Sequence, residues 1–152
     1  MQGEWNHKIF NVTEAGFNNL ALETFRFQYT NSNVYRAYLD ALHVNPSKLS
    51  RVEDIPFLPI KFFKTHTVQS GVFEPKAVFE SSGTSRTINS RHPVKDIHLY
   101  EESFIKGFEH FYGLVSAYCI LGLLPASLER TGSSLGYMVD KMIKLSNHPQ
   151  SG

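Results

Sequence analysis

Residues 76–112 run in the order apolar strand, hydroxyl-rich loop, capped amphipathic helix, and this order constrains the fold more than any other stretch. Lys76 to Glu80, with Ala77-Val78-Phe79 at its centre, reads as a short strand. It feeds FESSGTSRTINSRH, Phe79 to His92, which holds a single glycine, Gly83. Ser81, Ser82, Thr84, Ser85, Thr87 and Ser90 place six hydroxyls within ten residues. Arg86, Arg91 and Lys95 add positive charge. Glycine lets a backbone approach a ligand closely, and hydroxyls, amides and guanidinium groups all donate to phosphate oxygens. The loop therefore reads as a nucleotide-phosphate loop, although on composition alone such a stretch is usually a solvated connection. Neither GxxxxGK[ST] nor GxGxxG is present. Asp96 then caps a helix in which Ile97, Tyr100, Phe104, Phe108 and Phe111 recur at helical spacing and face a core. Gly113 ends it.

The pattern repeats downstream. Ser116 to Leu124 is a continuous apolar run, most simply a buried parallel strand, with Cys119 packed inside it as a small hydrophobe. Ser133 or Ser134 opens a last helix that buries Leu135, Met138, Val139 and Met142. Together these segments predict a βαβα unit of a mostly parallel sheet, an α/β fold. Ligands of such sheets bind beyond the carboxyl ends of the strands. The loops Ser81 to Pro93 and Ala126 to Gly132 are then expected to face one crevice.

The first half reads as helical. Thr13 caps a helix carrying Phe17, Leu20, Ala21, Thr24 and Phe25 on one side. Asn31 or Ser32 caps the next, with Val34, Tyr35, Tyr38, Leu39 and Leu42 inward. Asn45-Pro46 starts a turn. Ile55-Pro56-Phe57-Leu58-Pro59-Ile60 is an ordered, non-helical connector that buries its apolar side chains, with one further turn at Ile60 to Phe63. Thr67 to Gln69 reads as a short strand. The expected organisation is one incomplete domain, 1–152: a helical region 1–54, a Pro-rich connector and short strand 55–75, and an α/β unit 76–152 holding the loop 81–92.

Composition excludes several function classes. A net charge of +1, with no basic block, gives no reason to expect nucleic-acid or membrane-surface binding. The longest apolar stretch, Tyr118 to Pro125, is too short to span a bilayer. MQGEWNHKIF is not laid out as a signal peptide, so a cytoplasmic location is the default expectation. One cysteine precludes an internal disulfide. The seven histidines form no HxxxH or HExxH pattern, so no metal site is expected.

FESSGTSRTINSRH, followed by HLYEESFIKGFEHFYG, resembles the LuxE-like acyl-protein synthetases of the adenylate-forming superfamily. IPFLPIKFF at Ile55 to Phe63, Leu121 to Pro125, and ERTGSSLGYMVD at Glu129 to Asp140 are also similar. The resemblance implies the large N-terminal domain of an adenylate-forming enzyme, with ATP and Mg²⁺ as cofactors. The reaction it implies is activation of a fatty or other carboxylic acid as acyl-adenylate, then transfer to a protein thiol, with a reductase as a further partner. Ser81, Ser82, Gly83 and Thr84 match the family's ATP loop, and Ser85 keeps a hydroxyl where threonine is usual. Arg86 stands where glycine is usual, either as an added phosphate ligand or as the mark of a weakened loop. If that position needs positive φ, arginine costs on the order of 1 kcal/mol. Arg91 and His92 complete the implied ATP set, His92 contacting phosphate or anchoring the loop. Glu129, Arg130, Thr131, Gly132, Ser133 and Ser134 are implied to line the acyl pocket.

The family's acidic ribose ligand, adenine segment and C-terminal lysine have no match after Ser134, so the chain reads as the N-terminal part of a larger enzyme that lacks essential catalytic segments. Two alternatives stay open: an acyl-CoA ligase of the same superfamily, and a non-catalytic remnant or interaction module.

Overall fold

The computed structural model describes residues 2–81, 88–123 and 132–152. The chain divides into two compact units, Met1–Phe73 and Glu74–Gly152.

The first unit is helical: α1 (Gln2–Phe10), α2 (Glu14–Asn31), α3 (Asn33–Ala41) and the short α4 (Phe62–Thr65). The Thr13 hydroxyl accepts from Gly16 N–H at the start of α2, with Glu14 favourably placed in the first turn. Ser32 alone separates α2 from α3. Its N–H donates to Gln28 O at 2.8 Å, closing α2, and its side chain accepts from Tyr35 N, opening α3. Leu22, Phe25, Tyr35, Leu39 and Ile55 form the core. The buried Tyr35 satisfies its hydroxyl by donating to Pro56 O at 2.8 Å, which ties the Pro-rich connector to α3. Ile55 is buried as expected, but Phe57 and Ile60 are exposed, as are Phe17 and Leu42. A segment fixed by two prolines cannot turn every apolar side chain to one side. Thr67 to Gln69 is not a strand, because it has no ladder partner.

The second unit combines helices and strands: β1 (Ala77–Glu80), β2 (Arg91–Val94), α5 (Ile97–Tyr112) and α6 (Ser134–Ser146). The mixed character agrees with an α/β reading, but the ladder differs from the expected one. β1 and β2 pair antiparallel, with Ala77 opposite Val94 and Glu80 opposite Arg91. No parallel ladder forms among the described residues. Pro93 is tolerated because β2 is an edge strand. Asp96 Oδ1 accepts from His98 and Leu99 N–H to start α5, and Gly113 ends it at φ +84°. Ser133 caps α6 by accepting from Gly136 N–H at 3.1 Å, and Asn147 closes it in the left-handed region.

Ser116 to Leu123 does not form the expected buried strand; Leu124 lies outside the described residues. Val115–Ala117 is a single 3-10 turn, and the chain after it is irregular. An extended segment becomes a strand only by pairing along its length, and among the described residues the backbone pairing here reaches the single residue Gly152. Gly152 N–H donates to Ile120 O, and Gly122 N–H donates to Gly152 O. Cys119 is consequently exposed rather than packed in a core. Phe111, at 78% exposure in the last turn of α5, also leaves the expected core stripe. Leu135 is exposed as well. Among the described residues no helix is long and apolar enough to cross a membrane.

Candidate functional site

Alternating residues of a strand face opposite sides, and residues directly opposite in an antiparallel pair face the same side. β1 therefore sends Phe79 to one face and Glu80 to the other. Phe79 is buried against Tyr100 of α5 and Tyr137 of α6, with ring centroids 4.8 and 5.6 Å away. Tyr100 also meets Phe104 edge-on at 5.5 Å. This aromatic bed supports the end of β1, where the hydroxyl-rich loop departs.

The loop leaves and returns at one point. Ser81 N–H donates to Ser90 O at 3.0 Å, and Ser90 N–H donates to Ser81 Oγ at 3.0 Å. Ser81 is thus placed at the neck, with its hydroxyl oxygen already accepting one bond. Ser82, Gly83, Thr84, Ser85 and Arg86 lie outside the described residues.

Arg91 and His92 divide between the two faces of the hairpin. Arg91 lies opposite Glu80, and its Nε is 3.3 Å from Glu80 Oε1, so its charge is partly neutralised. His92 lies opposite Phe79, on the side of the aromatic bed. Partial desolvation there lowers its pKa and favours neutral imidazole, although the residue as a whole is exposed. Adjacent strand residues cannot both aim at one phosphate from the same face.

The second predicted segment meets the first directly. Glu80 N–H donates to Gly132 O at 2.8 Å, on the edge of β1 away from β2. Gly132 has φ +117°, a conformation that L side chains rarely adopt. Ser133 is committed to capping α6, and Ser134 O accepts from the Tyr100 hydroxyl at 3.5 Å. Glu129, Arg130 and Thr131 lie outside the described residues. Ser81, Gly132, Ser133 and Ser134 are therefore gathered around the end of β1, beside the Arg91–Glu80 pair.

Sequence reasoning missed the polar residues beneath this junction. Glu101, with its side chain 13% exposed, accepts from the Tyr137 hydroxyl at 2.6 Å. Lys141 Nζ is 3.1 Å from the same oxygen, and His98 Nδ1 is 3.6 Å from the other. The hydrogen bond from Tyr137, then the nearby Lys141 and His98, hold the Glu101 carboxyl below the usual range. The same bond, with burial, pushes Tyr137 up to about 12. A signal was available: Glu101 is a carboxylate four residues after Ile97 and three before Phe104, on the apolar stripe of α5. Among the described residues no group of three His, Cys, Asp or Glu side chains is arranged to hold a metal ion.

A family model described as "Acyl-protein synthetase, LuxE" matches residues 9–99, more than half of the chain. The match runs from the end of α1 to the first turn of α5 and includes the whole hairpin. No curated protein and no solved structure matches the chain.

Proposed function

The chain belongs to the LuxE acyl-protein synthetase family, and from that premise we propose that it serves ATP-dependent activation of a fatty carboxylic acid as acyl-adenylate, for transfer to a protein thiol. The observation that carries this reading is the bond between Glu80 N–H and Gly132 O. It brings the strand that launches the hydroxyl-rich loop against the segment that opens α6. Adenylation needs such a meeting, because the carboxylate must reach the phosphate that it attacks.

The donors present suit a polyphosphate. Ser81 sits at the loop neck, where its hydroxyl oxygen accepts from Ser90 N–H and its hydrogen is able to donate. The resemblance adds Ser82, Gly83, Thr84, Ser85 and Arg86, and the exposed Arg91 guanidinium stands at the loop's return, paired with Glu80. His92, being biased toward the neutral form, anchors the loop rather than supplying charge. Mg²⁺ commonly binds through phosphates and water with few protein ligands. When bound, it would offset charge on the departing pyrophosphate. Buried Phe79 and the Tyr100 and Tyr137 rings hold the end of β1 rigid beneath these groups, as preorganised stabilisation requires.

Calorimetric titration with ATP and Mg²⁺ tests the reading, on this chain and on Gly83→Val. Binding that the variant loses while keeping its circular dichroism spectrum is the expected result. A wild-type chain that takes up no nucleotide would overturn the proposal.

A further inference from the structure

Two neighbouring residues of α5 reach both halves of the candidate site. Tyr100 stacks on Phe79, one residue before the end of β1, and its hydroxyl donates to Ser134 O at the start of α6. Glu101 receives the Tyr137 hydroxyl and pairs with Lys141, both one to two turns into α6. The Tyr137 ring returns to Phe79 at 5.6 Å and to Tyr100 at 6.1 Å. The contacts close a ring: β1 to Tyr100, Tyr100 to Glu101 along the backbone, Glu101 to Tyr137, and Tyr137 back to β1. Gly132 O, which accepts from Glu80 N–H, lies between the two ends of this ring.

We propose that Glu101 is a positioning residue for nucleotide and acyl substrate: by holding the Tyr137 hydroxyl it fixes the start of α6, and hence Gly132 to Ser134, against the end of β1 from which the phosphate loop departs. Three features support a role beyond packing. A carboxylate replaces an apolar residue on the core stripe, which two helices joined only by packing do not require. Its bond to Tyr137 is short and charge-assisted, so it defines a direction and a distance that apolar contact does not. Its partners across the helix pair, Tyr137 and Lys141, sit on α6, the element that opens with one site segment, and the Tyr137 ring in turn meets Phe79 of β1, the strand that launches the other. The inference rests on the proposed nucleotide site.

The test is ATP·Mg²⁺ affinity by calorimetry for the wild-type chain, Glu101→Ala, Tyr137→Phe, the double variant, and Glu101→Gln. Tyr35→Phe, which removes a bond in the first unit, serves as a control for stability alone. Glu101→Ala and Tyr137→Phe should each weaken binding about tenfold, a loss of the size expected for one charge-assisted hydrogen bond. The double variant should be no weaker than either single one, since both remove the same bond. Glu101→Gln keeps an acceptor for the tyrosine and should restore most of the affinity. Tyr35→Phe should bind as the wild type does, whatever it loses in melting temperature. Affinities of Glu101→Ala and Tyr137→Phe equal to wild type would overturn the positioning role while leaving the nucleotide site standing. An equal loss in Tyr35→Phe would reduce the effect to general destabilisation and also overturn it. A wild-type chain that binds no nucleotide would remove the site itself, and the positioning role with it.

Discussion

The Tyr137 hydroxyl donates to Glu101 Oε1 at 2.6 Å, joining α6 to α5 through one bond whose two partners titrate at opposite ends of the pH scale. Glu101 has its pKa lowered in the fold, chiefly by this bond, so its contribution is complete above the ordinary carboxylate value of 4.5. That contribution fades as the pH falls through the folded value. Tyr137 is raised from 10.0 to about 12, so its contribution is complete below pH 10 and is lost as the pH climbs toward 12. Melting temperature measured across the pH range should therefore fall at both ends. Tyr137→Phe should flatten the alkaline limb between these two values and soften the acid one. An unchanged alkaline limb would mean that the bond does not contribute in solution.

Gly132→Ala should destabilise the chain by about 1–2 kcal/mol in urea denaturation, because φ +117° suits glycine and strains alanine. The cost is conformational rather than steric: an added Cβ would meet Val78 O at an ordinary 3.6 Å. Gly107→Ala, in the interior of α5 with nothing within 4 Å of the new methyl, should instead stabilise by about 0.5–1 kcal/mol. The same chemical change is thus expected to carry opposite signs at two sites of one unit.

Glu80 and Arg91 form an exposed pair, with side chains 44% and 67% accessible, so breaking it should cost less than about 1 kcal/mol. Its effect on ligand binding should be larger than its effect on stability. Glu80→Gln releases the guanidinium and removes a negative charge from the loop neck. ATP·Mg²⁺ affinity should then rise about threefold, a gain consistent with charge-assisted donation to phosphate. Unchanged affinity would take Arg91 out of the binding set.

The boundaries of α2, α3, α5 and α6 were legible in the sequence because capping is local chemistry, whereas α1, before the first recognisable cap, was not read. Thr13, Ser32, Asp96, Gly113 and Ser133 all act at the helix ends where sequence reading places a cap. β1 was legible for a similar reason, as an apolar run bounded by polar residues. β2 was not, because Arg91, His92 and Pro93 carry no strand signal, and they pair only because β1 lies alongside. Ser116 to Leu123 misled in the other direction: its apolar β-formers describe a strand, but among the described residues its backbone pairs with Gly152 alone. At the site, Ser81 was legible as one hydroxyl of a hydroxyl-rich loop and Gly132, as a site residue, only through the family resemblance; the neck at Ser81 was not, because it depends on a cross-strand bond to Ser90. The Glu101–Tyr137 bond did not, because its partners are 36 residues apart and belong to two helices whose contact no local rule predicts.

The neck formed by Ser81 and Ser90 has a bearing on how this hairpin tolerates change. Two hydrogen bonds fix where the chain departs and where it re-enters, and the register of β1 on β2 is set below them. The loop-closure cost of changing the number of residues between the two serines grows only slowly with length, so the pairing of the strands beneath is expected to survive such changes. Selection can therefore retune the ligand that the loop meets without reopening the question of how the rest of the unit folds.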